Sequence, residues 1–174
     1  MKKETLKKQI ETALFMAIVC VATLAVHIPI AVTGGYINLG DCFVIVSVWT
    51  LGPVYGTLAA GIGSALADVF LGYMMYAPAT LLIKSVMALA AYFTVKLMLG
   101  KVNITVSRII GAVIAEILMV LGYFGYESLL LGQGLPAAAG IPSNAIQGAA
   151  GLVASVLLIS VMKQIKFFRD DILS

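Results

Sequence analysis

Residues 34–41 are Gly-Gly-Tyr-Ile-Asn-Leu-Gly-Asp, a glycine-rich polar stretch between the first two of several long apolar runs. Around it, 61% of the 174 residues are hydrophobic and 11% are charged, and the mean hydropathy is +1.08. A globular domain typically has about 25% charged residues. The composition therefore predicts an integral membrane protein. The length allows five or six spans of about 20 residues, in a single membrane domain covering residues 1–174.

Six apolar runs predict an all-α integral membrane fold with six transmembrane helices in one bundle. They lie at about residues 12–30, 42–51, 54–67, 79–99, 109–131 and 143–162. Between the second and third runs, Gly52-Pro53 is a turn signal that predicts a tight hairpin. The third run is rich in Gly, Ala and Ser at spacings of three and four, which predicts close packing against its neighbours and a central place in the bundle.

The basic residues predict the orientation of these spans. Ten of the eleven Lys and Arg residues fall on one side of the predicted bundle, and the exception, Lys84, lies within the fourth run. The positive-inside rule makes that side cytoplasmic. Residues 1–10 are then a cytoplasmic N-terminal segment, 28–41 an outer lid loop and 163–174 a cytoplasmic tail. A signal peptide is the alternative for the N-terminal region, but no small-residue cleavage site follows it.

Polar side chains collect in the outer half of the predicted bundle. Ionisable groups are costly inside a bilayer and usually mark a binding site or pathway, while amides and aromatic rings can hold a flat heterocycle. The candidate ligand-binding residues are Tyr36, Asn38, Asp41, Asp68, Tyr73, Tyr76, Lys84, Tyr123, Glu127, Asn144 and Gln147.

Several of these candidates also have a structural interpretation. Asp41 can cap the second helix and complement its dipole. Lys84 can pair with Asp68 or Asp41 and hold loops together. The outer tyrosines can belong to an interfacial aromatic belt, and the amides of Asn144 and Gln147 can hydrogen-bond to another helix. Glu116 lies deeper on the fifth run, where it suits a structural hydrogen bond or ion pair at least as well as a ligand contact.

Other activities lack their sequence signals. His27 is the only histidine, so a histidine-based metal site is not expected, and neither is any other metal site or cofactor. The sequence contains no GxxxxGK[ST] motif for ATP and no GxSxG motif for a nucleophilic serine. The net charge of +3 follows the membrane topology and does not indicate nucleic-acid binding. We therefore do not expect an enzyme.

The motif Ala13-Leu14-Phe15-Met16-Ala17, together with the run from Gly34 to Lys84 (GGYINLGD, ALAD, LGY, YAP and Lys), resembles the substrate-binding S components of energy-coupling-factor (ECF) vitamin transporters. The resemblance covers nearly the whole chain in size and topology. It implies a plasma-membrane subunit that captures a small vitamin under the lid loop. It also implies an EcfT-type coupling subunit docked on Ala13 and Ala17, and two cytoplasmic ATPases that use ATP.

The chain looks most like the members assigned to hydroxymethylpyrimidine or pyridoxine-type compounds. Trp49 lies in the second run and the outer loops contain no tryptophan, which makes the thiamine-specific members a poor match. Riboflavin and folate are less favoured. Two alternatives from other classes are a stand-alone proton-coupled carrier or exporter, in which an acid such as Glu116 titrates, and a non-transporting assembly subunit.

Overall fold

The computed structural model describes residues 2–29 and 36–165, and five long helices dominate it. The elements are α1 Lys2–Ala25, β1 His27–Pro29, β2 Tyr36–Asn38, α2 Gly40–Leu71, α3 Ala77–Met98, α4 Ile104–Gly125, a π-helix Tyr126–Leu130, a 3₁₀-helix Leu135–Gly140 and α5 Ile141–Met162. Each of the five α-helical segments is long and apolar enough to cross a membrane. The mainly helical membrane fold is therefore confirmed.

Local sequence signals account for several helix ends. Gly72 ends α2 with φ 84°, a left-handed conformation that glycine adopts without steric cost. Pro78 lies in the first turn of α3, where its missing N–H has no intrahelical partner to lose. Asn103 caps α4 by accepting a hydrogen bond from the Thr105 backbone N–H at 2.8 Å.

The predicted count of six helices differs from the structure, because the second and third apolar runs lie in one bent element, α2. Helical backbone continues on both sides of Gly52, which alone has non-helical angles (φ 80°, ψ 179°) and precedes Pro53. The chain reverses at this point. The Ser47 hydroxyl donates to the Gly56 carbonyl at 3.1 Å, and a Cβ on Gly56 would lie 2.4 Å from Val48 Cα. Residues eight apart in a straight helix would be about 12 Å apart.

The helices pack in chain order, α1 on α2, α2 on α3, α3 on α4 and α4 on α5, and α5 returns to α2. The small residues of α2 allow the close approach that the sequence predicts. A Cβ on Gly63 would lie 2.6 Å from the Met16 carbonyl of α1, and one on Gly61 would lie 2.4 Å from Ser85 Oγ of α3. The indole N–H of buried Trp49 donates to the Ala91 carbonyl at 3.3 Å. These contacts make α2 the centre of the bundle.

The predicted lid loop contains a short antiparallel hairpin, in which His27 pairs with Asn38 and Pro29 with Tyr36. Its tip, residues 30–35, lies outside the described residues, as do residues 166–174 of the predicted tail. Helix α1 begins at Lys2 and includes most of the predicted N-terminal segment, and α2 begins at Gly40, so Asp41 lies in the first turn of that helix.

Candidate functional site

A small polar cavity lies between the hairpin and the ends of α2, α3, α4 and α5. It is lined by Tyr36, Asn38, Asp68, Tyr76, Thr80, Tyr123, Glu127, Asn144 and Gln147. Eight of the eleven predicted candidates are in this lining, although they come from six separate parts of the chain. The cavity volume is about 20 Å³, which is room for about one water molecule.

Tyrosine hydroxyls meet both carboxylates of the cavity. Tyr36 donates to Asp68 Oδ1 at 2.5 Å, and Tyr76 donates to Glu127 Oε1 at 3.2 Å. Burial raises the pKa of Tyr36, and the nearby charge of Asp68 raises it further. Burial, and then Glu127, raise the pKa of Tyr76 in the same way. Both hydroxyls therefore keep their protons and act as donors at physiological pH.

A path of hydrogen bonds runs from the hairpin into the bundle. The Asn38 backbone N–H donates to Gln147 Oε1 at 2.8 Å, and Gln147 Nε2 donates to Asp41 Oδ2 at 2.6 Å. The other oxygen of Asp41 forms an ion pair with Lys84. Asn38 Oδ1 also accepts from the Gly40 backbone N–H at 2.8 Å, which fixes the junction of hairpin and α2.

Asp41 and Lys84 therefore lie behind the cavity wall and not in the lining. Both are almost completely buried, at 0% and 2% exposure. The structure selects Asp41 over Asp68 as the partner of Lys84. It also gives no capping role to Asp41, because Leu39 is the N-cap residue of α2 and makes no side-chain capping bond. Gln147, which lines the cavity, connects the Asp41–Lys84 ion pair to it through its hydrogen bond to Asp41.

Tyr73 is the third predicted candidate outside the lining, and it belongs to an aromatic row over the site. Its ring lies 4.8 Å from the Tyr36 ring and 6.3 Å from the Tyr76 ring, measured between centroids. Tyr76 in turn lies 5.6 Å from Tyr126. Tyr73 therefore packs against two lining residues and supports their positions.

Thr80 lines the cavity, and sequence reasoning missed it. Its Oγ1 lies 3.0 Å from the Tyr123 hydroxyl. A signal for it existed, since Tyr76, Thr80 and Lys84 are spaced by four and share one face of a helix. A neutral threonine in an apolar run does not stand out in composition, whereas a charged residue does.

Glu116 lies on α4 away from the cavity lining, against two glycines of α5. A Cβ on Gly148 would lie 3.0 Å from Glu116 Cβ, and one on Gly151 would lie 2.6 Å from Glu116 Oε1. Glu116 is 6% exposed, and within residues 2–29 and 36–165 neither carboxyl oxygen has a hydrogen-bond partner. Tyr123, on the same helix, and Glu127, on the π-helix that follows it, line the cavity, whereas Glu116 does not.

Ala13 and Ala17 are exposed on α1 and line a shallow apolar groove with Leu66 and Phe70 of α2. This face does not include any residue of the cavity lining. Among the described residues there is no cluster of His, Cys, Asp and Glu side chains suited to a metal ion.

A sequence model of one protein family, described as "ECF-type riboflavin transporter, S component", matches residues 3–164. The chain therefore belongs to this family of ECF-transporter S components. Proteins of this class are substrate-binding transporter subunits and not enzymes, and in general they associate with EcfT and ATPase subunits.

Individual proteins similar to the chain include one curated relative and one solved structure. An uncharacterised protein from Pyrococcus woesei, described by its position in the gap 3′ region, is 38% identical over 136 residues, which cover 78% of this chain and 87% of that protein. A solved structure described as "Structure and mechanism of the S component of a bacterial ECF transporter" has a TM-score of 0.69 at 24% identity. The match covers 92% of this chain and 97% of the other. This likeness supports the fold.

Proposed function

We propose that the chain captures a small water-soluble vitamin or vitamin precursor at the outer face of the plasma membrane, as the S component of an ECF-type importer. The observation that carries this is the cavity beneath the hairpin. Nine polar or aromatic side chains from six elements converge there, in a chain whose other buried residues are mostly apolar. Placing polar groups inside a membrane bundle is costly, and a convergent set is typical of a binding site.

The proposed orientation follows from the reversal of α2. Asn38, just before α2, and Asp68, near its end, line the same cavity, so both ends of α2 lie on one side of the bundle. With α2 crossing twice, the five helices make six crossings, and both termini lie on the same side. The basic residues favour the cytoplasm for that side. The hairpin and the cavity then face outward.

The ligand must displace the side chains that now fill the site. Pockets for drug-sized ligands measure roughly 300–1,000 Å³, far more than this cavity. The hairpin meets α5 at one point through the Asn38–Gln147 hydrogen bonds and α2 at another through Tyr36 and Asp68. Breaking these bonds and moving the hairpin would open the site, which supports its role as the lid.

Two ligand types follow from different considerations. The sequence favours a hydroxymethylpyrimidine or pyridoxine-type compound, and the family description names riboflavin. Both are flat heterocycles with hydrogen-bonding substituents, which suits a cavity of tyrosines, amides and carboxylates. We propose pyridoxine-type compounds first and riboflavin second.

We further propose that energy comes from partners. A membrane coupling subunit of the EcfT type would dock on Ala13 and Ala17, whose small side chains permit close helix approach in lipid. Two cytoplasmic ATPases would bind and hydrolyse ATP, with no cofactor held by this chain. Membership in the S-component family does not favour the alternative of a stand-alone proton-coupled carrier.

A ligand screen tests the function. The purified chain would be examined by native mass spectrometry and thermal shift against pyridoxine, pyridoxamine, hydroxymethylpyrimidine, riboflavin, thiamine and folate. We expect one compound to bind with one-to-one stoichiometry and to raise the melting temperature. Failure of all six compounds to bind would contradict the proposal.

A further inference from the structure

The cavity has an excess of acidic side chains. Asp68 and Glu127 both line it, and no Lys, Arg or His belongs to its lining. Lys84 is the nearest base on α3, but its ammonium is paired with Asp41 behind the wall. Its charge is therefore already balanced by a carboxylate that does not line the cavity.

Asp68 has hydrogen-bonding capacity left over. Its side chain is buried (1% exposed), and its Oδ1 accepts from Tyr36. In the part of the chain that the structure describes, its Oδ2 has no partner at full hydrogen-bonding geometry, and the Thr80 hydroxyl is the protein donor that lies next to this carboxylate. A buried carboxylate oxygen without a donor is costly, so a ligand that supplies one gains more here than at a solvated surface.

Three other side chains of the wall already use a donor in an existing hydrogen bond. The hydroxyl protons of Tyr36 and Tyr76 are already directed at carboxylates. Gln147 is oriented by Asp41, because its Nε2 donates to that carboxylate and its Oε1 therefore faces Asn38. These side chains cannot turn their donors toward an anionic ligand without breaking existing bonds.

We propose that the site selects its ligand by charge. A protonated amine or an N–H-rich ring edge donates to Asp68 Oδ2, and the carboxylated and phosphorylated forms of the same compounds are excluded. This inference rests on the proposed vitamin-capture function and adds the chemical class to it. An anion placed in the cavity would meet two carboxylates at short range in a medium of low dielectric constant.

A series of ligands on one ring tests the proposal. Pyridoxamine, pyridoxine and 4-pyridoxic acid carry an aminomethyl, a hydroxymethyl and a carboxylate group at the same ring position. We expect the dissociation constant of the full-length chain to rise by about tenfold or more at each step in that order. Riboflavin and its 5′-phosphate form a second pair, for which we expect the phosphate to bind at least about tenfold more weakly.

Two variants locate the effect. Asp68→Asn keeps the side-chain shape and an acceptor for Tyr36 but removes the charge. The ratio of the dissociation constants of anionic and neutral ligands should therefore fall by about tenfold. Glu116→Gln removes a buried carboxyl that does not line the cavity, and it should leave this ratio unchanged. Thermal unfolding of each variant checks that it is folded.

The outcomes separate the two proposals. If none of these compounds and none of the six compounds in the ligand screen binds, the proposed function fails. If a vitamin binds and its anionic form binds as tightly, the charge selection is wrong while vitamin capture stands. The same holds if pyridoxamine binds no better than pyridoxine. An equal loss of discrimination in Asp68→Asn and Glu116→Gln would also overturn the role of Asp68. The wild-type ligand order is decisive even if Asp68→Asn does not fold.

Discussion

Removing Lys84 should destabilise the bundle through the charge that it leaves behind. Asp41 is fully buried (0% exposed), and its ion pair with Lys84 is its only contact with a cation in the described structure. Breaking a buried pair from one side costs about 3–5 kcal/mol, because the remaining charge is uncompensated. We therefore expect Lys84→Met to lower the free energy of unfolding by about that amount.

The double variant Asp41→Asn/Lys84→Met should recover most of this loss. The amide at position 41 carries no charge, and its oxygen can still accept from Gln147 Nε2, which now bonds to Asp41 at 2.6 Å. Replacing a buried pair by neutral groups of similar size is often close to neutral. We expect the double variant to lie within about 1–2 kcal/mol of wild type.

The assay is reversible unfolding in mixed detergent micelles, arranged as a double-mutant cycle. Lys96→Met is the matched control, since Lys96 is exposed on the same helix, and it should change stability by less than about 0.5 kcal/mol. A Lys84→Met variant as stable as wild type would refute the predicted cost of the unpaired charge. So would a double variant no more stable than Lys84→Met.

Three further predictions concern packing, ligand contact and docking. Gly63→Ala would place a Cβ 2.6 Å from the Met16 carbonyl and should lower the free energy of unfolding by about 1–3 kcal/mol, because α1 must move away from α2. Gly125→Ala is the control, since its added Cβ would have no atom within 4 Å. Equal melting temperatures for the two variants would contradict this prediction. Asn38→Ala should weaken vitamin binding by about 1–3 kcal/mol. An unchanged dissociation constant would show that Asn38 does not contact the ligand. Ala17→Phe should abolish transport by the assembled importer while preserving ligand binding by the isolated chain; equal loss of both activities would show that docking and capture are not separate.

The membrane class and most of the cavity could be predicted from sequence, because both follow from the cost of polar groups in a bilayer. Asp68, Glu127 and Gln147 stand out in an apolar chain, and a bundle can accommodate them only by facing them inward. Small residues in the third apolar run likewise predicted close packing around α2, which Gly61 and Gly63 confirm.

The remaining features depend on how the helices are rotated and bent relative to one another, which the composition does not determine. Lys84 could reach either Asp41 or Asp68, and only the relative rotation of α2 and α3 decides between them. The helix count differed because Gly52 bends the chain within one helical element, while hydropathy divides that element into two runs. The strand at Tyr36–Asn38 is three residues long, too short to give a periodic signal.

We propose that this chain captures the ligand and that its partners supply the energy for uptake. Uptake in proteoliposomes tests it most directly, with the chain alone or with its coupling subunit and two ATPases, using the vitamin that the isolated chain binds. We expect ligand binding in both preparations and uptake only in the complete assembly supplied with ATP. Uptake by the chain alone, driven by a proton gradient, would contradict it.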